Sequence, residues 1–183
     1  KDLQEFLNSN GFFLPADPSS SAISVIGGNL ATKASGPHEL SHGSIDRFVT
    51  SVRFVTLRGE CVDTGRPETI PERLRAGLAR LGERVLRDEE SCKRLRQQRA
   101  TKCASGYQFG AIVEGESLCS IMNDLMVGSI GTLGIITSAH LCAETFHPRK
   151  AAAMLFFENL SLACRCVPCI RESGAAAIEI INA

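Results

Sequence analysis

Two periodicities take turns along this chain: apolar residues at helical spacing in some segments, at every second position in others, with glycine-rich breaks between them. Residues 2–10 place Leu3, Phe6 and Leu7 on one helical face and stop at Asn10-Gly11. Ser24-Val25-Ile26 reads as a short apolar strand entering Gly27-Gly28, with a turn and short helix to follow over residues 28–36. Residues 44–49 lead into the alternating stretch Val52-Arg53-Phe54-Val55-Thr56-Leu57. With Arg58-Gly59-Glu60 as the turn and Cys61-Val62-Asp63-Thr64 as the return, this predicts a β-hairpin with one wet face.

Thr69-Ile70-Pro71-Glu72 has the form of a capping box, Thr69 bonding forward to the backbone and Glu72 reaching back. The helix it predicts carries Leu74, Leu78, Leu81 and Val85 as an apolar stripe opposite Arg73, Arg80, Glu83, Arg84 and Arg87. Further helices are predicted over residues 88–98, 116–126 and 159–173, and strands over 133–137, 151–157 and 176–181. There is no strict βαβ rhythm. The pattern therefore predicts an α+β fold, an antiparallel sheet flanked by helices on one face, and not a doubly wound sheet.

The length of 183 residues suits one compact domain with a substantial core. Twenty basic and twenty acidic side chains cancel, so no overall field draws the chain to nucleic acid or to an anionic membrane. Half of the basic residues fall between Arg66 and Arg99, but six acidic residues are interleaved, which reads as a solvated helical face, with a docking surface as the alternative. The absence of Trp and the single Tyr107 argue against a stacking surface for single strands. No apolar run reaches the roughly 18 residues of a membrane span, and no basic segment followed by an apolar one opens the chain. The expected location is cytoplasmic, with attachment to the inner membrane only through partners.

Eight cysteines, at positions 61, 92, 103, 119, 142, 164, 166 and 169, have mostly irregular spacing. Cys164-Arg165-Cys166-Val167-Pro168-Cys169 invites a metal reading, but its first gap is a single residue, and on a helix Cys164 points away from the face shared by Cys166 and Cys169. The expectation is buried or half-buried free thiols, no disulfide framework and no metal site. His38, His140 and His147 likewise form no metal-like spacing.

The chemistry concentrates in two glycine-rich stretches about a hundred residues apart, Gly27-Gly28-Asn29-Leu30-Ala31-Thr32-Lys33-Ala34-Ser35-Gly36 and Gly128-Ser129-Ile130-Gly131-Thr132-Leu133-Gly134-Ile135-Ile136-Thr137. Glycine admits positive φ and close approach, and small neighbours leave backbone N–H and hydroxyl donors free for an anionic or polar ligand. Together with Pro15-Ala16-Asp17-Pro18-Ser19-Ser20-Ser21, His42-Gly43 and Ser105-Gly106-Tyr107, in this order, they resemble the FAD-binding domain of FAD-linked oxidases, the PCMH or vanillyl-alcohol-oxidase type. The likeness is greatest to the branch of D-lactate, glycolate and D-2-hydroxyglutarate dehydrogenases, particularly its large members with a C-terminal iron-sulfur part, and covers nearly the whole chain.

The resemblance implies a PCMH-type fold, mainly its second subdomain, with FAD as cofactor. It implies that Ser19, Ile23, Ser24, Val25, Gly27 and Gly28 lie near the flavin or pyrophosphate, and that Thr32, Lys33, Ala34, Ser35 and Gly36 continue the contact beside His42 and Gly43. Ile130, Gly131, Thr132, Leu133, Gly134, Ile135 and Ile136 would hold the cofactor from the other side. Backbone groups are expected to contribute most, with hydroxyls from Thr32, Ser35 and Thr132. Three positions depart from the family pattern: Lys33 where Asn or Arg is frequent, His42 where Tyr is usual, and Ile130 where Glu is typical. His42 is the change that could tune a flavin.

Family members also carry an upstream phosphate-binding loop of Gly-Thr-Ser-Leu type and a downstream cap bearing the substrate residues. Starting at Lys1, without an initiator Met, and ending at Ala183, the sequence reads as an excised piece of the FAD domain holding about half of the flavin site. No catalytic residue is assigned. The implied activity of the parent is oxidation of a small D-2-hydroxy acid by hydride transfer to FAD, with electrons passed to an iron-sulfur partner. The alternative is a non-catalytic interaction or thiol-metal module that has lost the flavin.

Overall fold

The computed structural model describes residues 1–99, 103 and 106–181. Helix α1 (Asp2–Ser9) ends at Asn10 and Gly11, the latter at φ 80°, as its sequence predicts. Strand β1 (Phe12–Phe13) follows, then α2 (Ile26–Ala31), α3 (Glu39–His42) and a 3-10 turn (Ile45–Phe48). The turn feeds β2 (Val49–Thr56), which returns through β3 (Cys61–Asp63). Next come α4 (Glu72–Leu86), α5 (Glu89–Arg99), α6 (Gly110–Val113), α7 (Leu118–Met126), β4 (Gly134–Leu141), β5 (Glu144–Thr145) and α8 (Leu160–Glu172).

The sheet has the order β3-β2-β4 and is antiparallel throughout, which is the expected α+β arrangement. Gly59 takes φ 80° in the hairpin turn between β2 and β3. The wet and dry faces alternate as the sequence suggests: Val52 and Phe54 are buried, while Arg53 between them is exposed. Val52, Phe54, Val62, Ile70, Met122 and Met126 form one core cluster, joined by Leu74 and Leu78 from the α4 stripe. A second cluster gathers Leu14, Ala16, Leu30, Ile45, Phe48 and Val127. Ile136 and Ala139 of β4 pack against both, so the strand that follows the second glycine stretch ties the two clusters together.

Several local expectations are corrected. Residues 24–26 are no strand: Val25 is the extended N-cap residue of α2, and Ile26 already belongs to the helix. Their apolar side chains mark an exposed surface, since Val25 is 70% exposed. No capping box forms at the start of α4, because Pro71 is the N-cap residue and no side chain caps it. The Thr69 hydroxyl is engaged elsewhere, accepting from the Asp63 amide at 2.9 Å and lying 2.8 Å from the Arg66 carbonyl. Strand β4 runs four residues past its predicted end, to Leu141, because β2 offers it partners as far as Val49.

The largest departure is at the C-terminal end. The strands expected over 151–157 and 176–181 are absent, and Met154, Leu155, Phe156 and Ile181 are exposed. A run of β-formers becomes a strand only when a neighbour takes its backbone groups, and none among the described residues does so here. Helix α8 between them does form, capped by Asn159, whose side-chain oxygen accepts from the Leu162 amide at 2.9 Å. The cysteines are free but more exposed than expected: Cys92 is buried, Cys103, Cys119 and Cys166 are half-buried, and Cys61, Cys142, Cys164 and Cys169 are exposed. No helix among the described residues is long and apolar enough to cross a membrane.

Candidate functional site

The two glycine stretches meet. The Gly128 amide donates to the Leu30 carbonyl at 2.9 Å, and the Ile130 amide donates to the Ala31 carbonyl at the same distance. Leu30 and Val127 share one core cluster directly beneath this junction. The stretches are thus sewn edge to edge into one surface, rather than standing apart as two walls.

Two bulky residues at the junction hold the left-handed backbone that glycine favours, Lys33 and Ile130, both at φ 52°. Lys33 is buried, and its ammonium lies 3.2 Å from the Asp46 carboxylate. That side chain therefore serves the fold, anchoring the first stretch to the 3-10 turn before β2. Ile130 does the opposite and presents its side chain to solvent, 68% exposed.

The other expected site residues divide into groups. Ile23, Val25 and Ile135 are exposed apolar side chains at 88%, 70% and 70%. Ser19 and Gly28 are exposed, and Ser24, Gly27, Ala34 and Ser35 half-buried. A side chain at Gly27 or Gly131 would meet no atom within 4 Å, and one at Gly28 would touch only Val25 Cγ2 at 3.5 Å. These positions keep backbone accessible.

Gly36 and Gly134 have a different purpose from the one expected. A Cβ on Gly36 would fall 2.1 Å from the Asp17 carbonyl oxygen, and one on Gly134 would fall 2.5 Å from that of Val55. Both glycines allow close approach of the chain to itself. Gly43 ends α3 at φ 79°, its open side filled by the Arg47 side chain. Leu133 and Ile136 face core clusters.

The hydroxyls are already partly committed. Thr32 Oγ1 donates to the Gly28 carbonyl at 2.9 Å, and Thr132 Oγ1 donates to the Ser129 carbonyl at 2.5 Å while meeting Tyr107 Oη at 2.7 Å. Tyr107 thereby joins the second stretch; Ser105 lies outside the described residues. His42 is half-buried, its ring 5.8 Å from that of Phe13 in an edge-on contact and 6.4 Å from that of His38.

Ser129 is the residue that sequence reasoning passed over. It is 3% exposed, and its Oγ has no hydrogen-bond partner among the described residues. The available signal was its place inside the second glycine stretch, where attention fell on the glycines. Behind the junction, Asp124 accepts the Ala111 amide at 3.1 Å. Burial pushes its carboxyl above the ordinary value; that hydrogen bond and Arg99 pull it back, while Glu116 and Asp46 add to the rise. Glu116 is held below its ordinary value by the Ser120 hydroxyl and then by Arg99, 2.6 Å away.

An accessible glycine backbone, exposed aliphatic side chains on the same stretches and a buried hydroxyl without an acceptor fit a dinucleotide with a planar ring system. They offer apolar contact for a ring face and neutral donors for phosphate or carbonyl oxygens.

Comparison with known proteins agrees with that chemistry. Residues 1–65 match the family model described as FAD binding domain. The D-2-hydroxyglutarate dehydrogenase of Escherichia coli strain K12 is 26% identical over 190 residues, covering 98% of this chain and 18% of that protein. The glycolate oxidase subunit GlcD of Bacillus subtilis strain 168 is 25% identical over 166 residues, 91% of this chain and 26% of that protein. A solved structure of alkyldihydroxyacetonephosphate synthase superposes with a TM-score of 0.50 at 22% identity, over 94% of this chain and 24% of that one. The first 65 residues thus resemble an FAD binding domain, and the chain shares its fold with part of the superposed synthase structure. This chain spans only about a fifth to a quarter of the length of the relatives named.

Proposed function

We propose that this chain supplies the FAD-binding surface of a flavin-dependent oxidoreductase acting on a D-2-hydroxy acid of the lactate, glycolate or 2-hydroxyglutarate kind. The observation that carries the reading is the direct bonding of Gly128 and Ile130 to Leu30 and Ala31, which makes one continuous surface from two stretches that the sequence separates. The names of the relatives support the substrate class.

When bound, FAD would supply the redox chemistry by accepting a hydride from the substrate carbon. The chain's own contribution is to bind and orient. Backbone groups of Gly27, Gly28 and Gly131 are open to a ligand, and Ile23, Val25, Ile130 and Ile135 would cover apolar ring surface and keep water from it. Ser129 would give its unpaired hydroxyl to an acceptor on the cofactor side of the junction. Ser19, Ser24, Ala34 and Ser35 would line the approach, with His42 at its margin. No catalytic residue is assigned within this chain. The activity of the whole enzyme needs substrate-binding groups from outside these residues, and the electron acceptor proposed for it is an iron-sulfur domain or partner, in a cytoplasmic setting.

Calorimetric titration with FAD, with an absorbance scan between roughly 350 and 500 nm of the protein as purified, tests the reading. Saturable binding of one FAD, weak in this chain and tighter in a longer protein containing it, and weakened by Gly27→Ala with a melting temperature that does not fall, is the expected result. A longer protein containing this sequence that purifies colourless and ignores FAD would sink it.

A further inference from the structure

We propose that the outer face of the three-stranded sheet holds a second binding site, selective for a phosphate monoester, built from Arg53, Arg66, Ser138 and His140 around a cavity of about 220 Å³. The sheet register creates it. Arg53 stands opposite Asp63 of β3 on one side and Ser138 of β4 on the other, on the face turned away from buried Val52 and Phe54. Three strands therefore contribute to one row, and His140 enters from the adjoining register position, paired with Ser51.

Neighbours hold the His140 ring, the Arg53 guanidinium and the Arg66 backbone in place. The His140 Nδ1 lies 2.9 Å from the buried Ser51 hydroxyl, which leaves Nε2 as the ring nitrogen without a partner among the described residues. Arg53 Nη2 is 3.4 Å from Asp63 Oδ2, and the other Asp63 oxygen accepts the Gly65 amide at 2.9 Å. Gly65 packs over this floor: a Cβ there would lie 3.2 Å from both Asp63 Oδ1 and Ser51 Oγ. The backbone of Arg66 is pinned by its amide to the Asp63 carbonyl and by its carbonyl to the Thr69 amide, both at 2.9 Å. Its guanidinium has no hydrogen-bond or ion-pair partner among the described residues.

The charge balance follows. Arg53 and Asp63 offset one another, so Arg66 leaves a net positive charge in a cavity where the Ser138 hydroxyl adds a donor and the His140 ring offers Nε2–H when its Nδ1 accepts the Ser51 hydroxyl. A planar carboxylate is satisfied by the fork of one guanidinium. Donors of three kinds drawn from two strands and a turn suit a tetrahedral oxyanion instead. The volume is below the usual range for a whole small-molecule ligand, as a site that grips one phosphoryl group and leaves its ester outside would be. None of its lining residues belongs to the glycine stretches, and nothing in its chemistry depends on FAD.

The test is calorimetric titration of the full chain with inorganic phosphate near neutral pH, with the His140 ring protons followed by NMR to locate the ion. Saturable millimolar binding is expected, with acetate about fivefold weaker or more, and Arg66→Gln is expected to weaken phosphate by about fivefold, the upper end for an exposed charge pair. Asp63→Asn removes the one repelling charge and is expected to tighten phosphate binding, a gain that loss of fold cannot imitate. Phosphate that fails to saturate, leaves the His140 resonances unmoved, or binds Arg66→Gln and Asp63→Asn as it binds the parent chain would overturn the proposal. A protein that ignores FAD yet binds phosphate in this pattern would leave it standing.

Discussion

The Lys33 ammonium lies 3.2 Å from the Asp46 carboxylate, with the lysine side chain 8% exposed and its backbone at φ 52°. This pair clamps the first glycine stretch onto the turn that starts β2. Removing one partner strands a mostly buried charge, so Lys33→Met should lower unfolding free energy by about 3 kcal/mol, the lower end for a buried pair. Urea unfolding checks it. Lys33→Met combined with Asp46→Asn should recover part of the loss, because the stranded carboxylate is then gone.

Two glycines of the same stretch should separate by role. A Cβ at Gly36 collides with the Asp17 backbone, whereas one at Gly27 meets nothing. Gly36→Ala should cost about 1 to 3 kcal/mol through forced backbone displacement. Gly27→Ala should leave stability equal or up to about 1 kcal/mol higher, as expected for alanine in a helix, while weakening FAD. Paired melting curves and FAD titrations decide it, and a Gly27→Ala variant with parent-like FAD affinity would count against an open cofactor-facing backbone there.

Asp124 gives a pH dependence with a definite sign. Burial raises its carboxyl above the ordinary 3.8, so the folded chain holds that proton more tightly than the unfolded chain. Its contribution is most favourable below the ordinary carboxylate range and is lost as pH rises through the raised value. Asp124→Asn should therefore be more stable relative to the parent at neutral pH than at pH near the ordinary value, since asparagine can still accept the Ala111 amide. Denaturant midpoints across that window measure the effect, and a difference that stays constant with pH would refute it.

Helix α8 depends on its cap more than on packing, for none of its residues is buried, and it carries Pro168 inside. Asn159→Ala should remove about 1 kcal/mol from the helix. The expected signature is a fall in far-ultraviolet helical signal with little movement of the main unfolding transition.

Most of this architecture was legible in the sequence wherever a period repeats. The α4 stripe, the β2–β3 hairpin and the stop at Gly11 follow from side-chain spacing and backbone freedom alone. Two apolar residues, Val25 and Ile26, were too few to carry a period, and β-branching there suggested a strand where the chain makes a helix start. The stretch 151–157 has strand composition, but composition does not supply a neighbouring strand. At the candidate site the glycines were visible as a set and not in their separate duties. Gly36 and Gly134 are set by contacts with Asp17 and Val55, which are remote in sequence and leave no local trace. Lys33 looked like a ligand-facing cation because nothing nearby in sequence marks Asp46 as its partner.

The bond from the Ile130 amide to the Ala31 carbonyl spans roughly a hundred residues of intervening chain. Closing such a loop costs entropy that grows with its length, and contacts of this range form late compared with helices and hairpins. The candidate binding surface is thus complete only once residues 128–130 have joined the first glycine stretch. A nascent or truncated chain that stops before residue 128 has the first glycine stretch without its seam. Ligand capture then reports on completion of the fold, so a cofactor present during synthesis would select finished molecules and leave unfinished ones unbound.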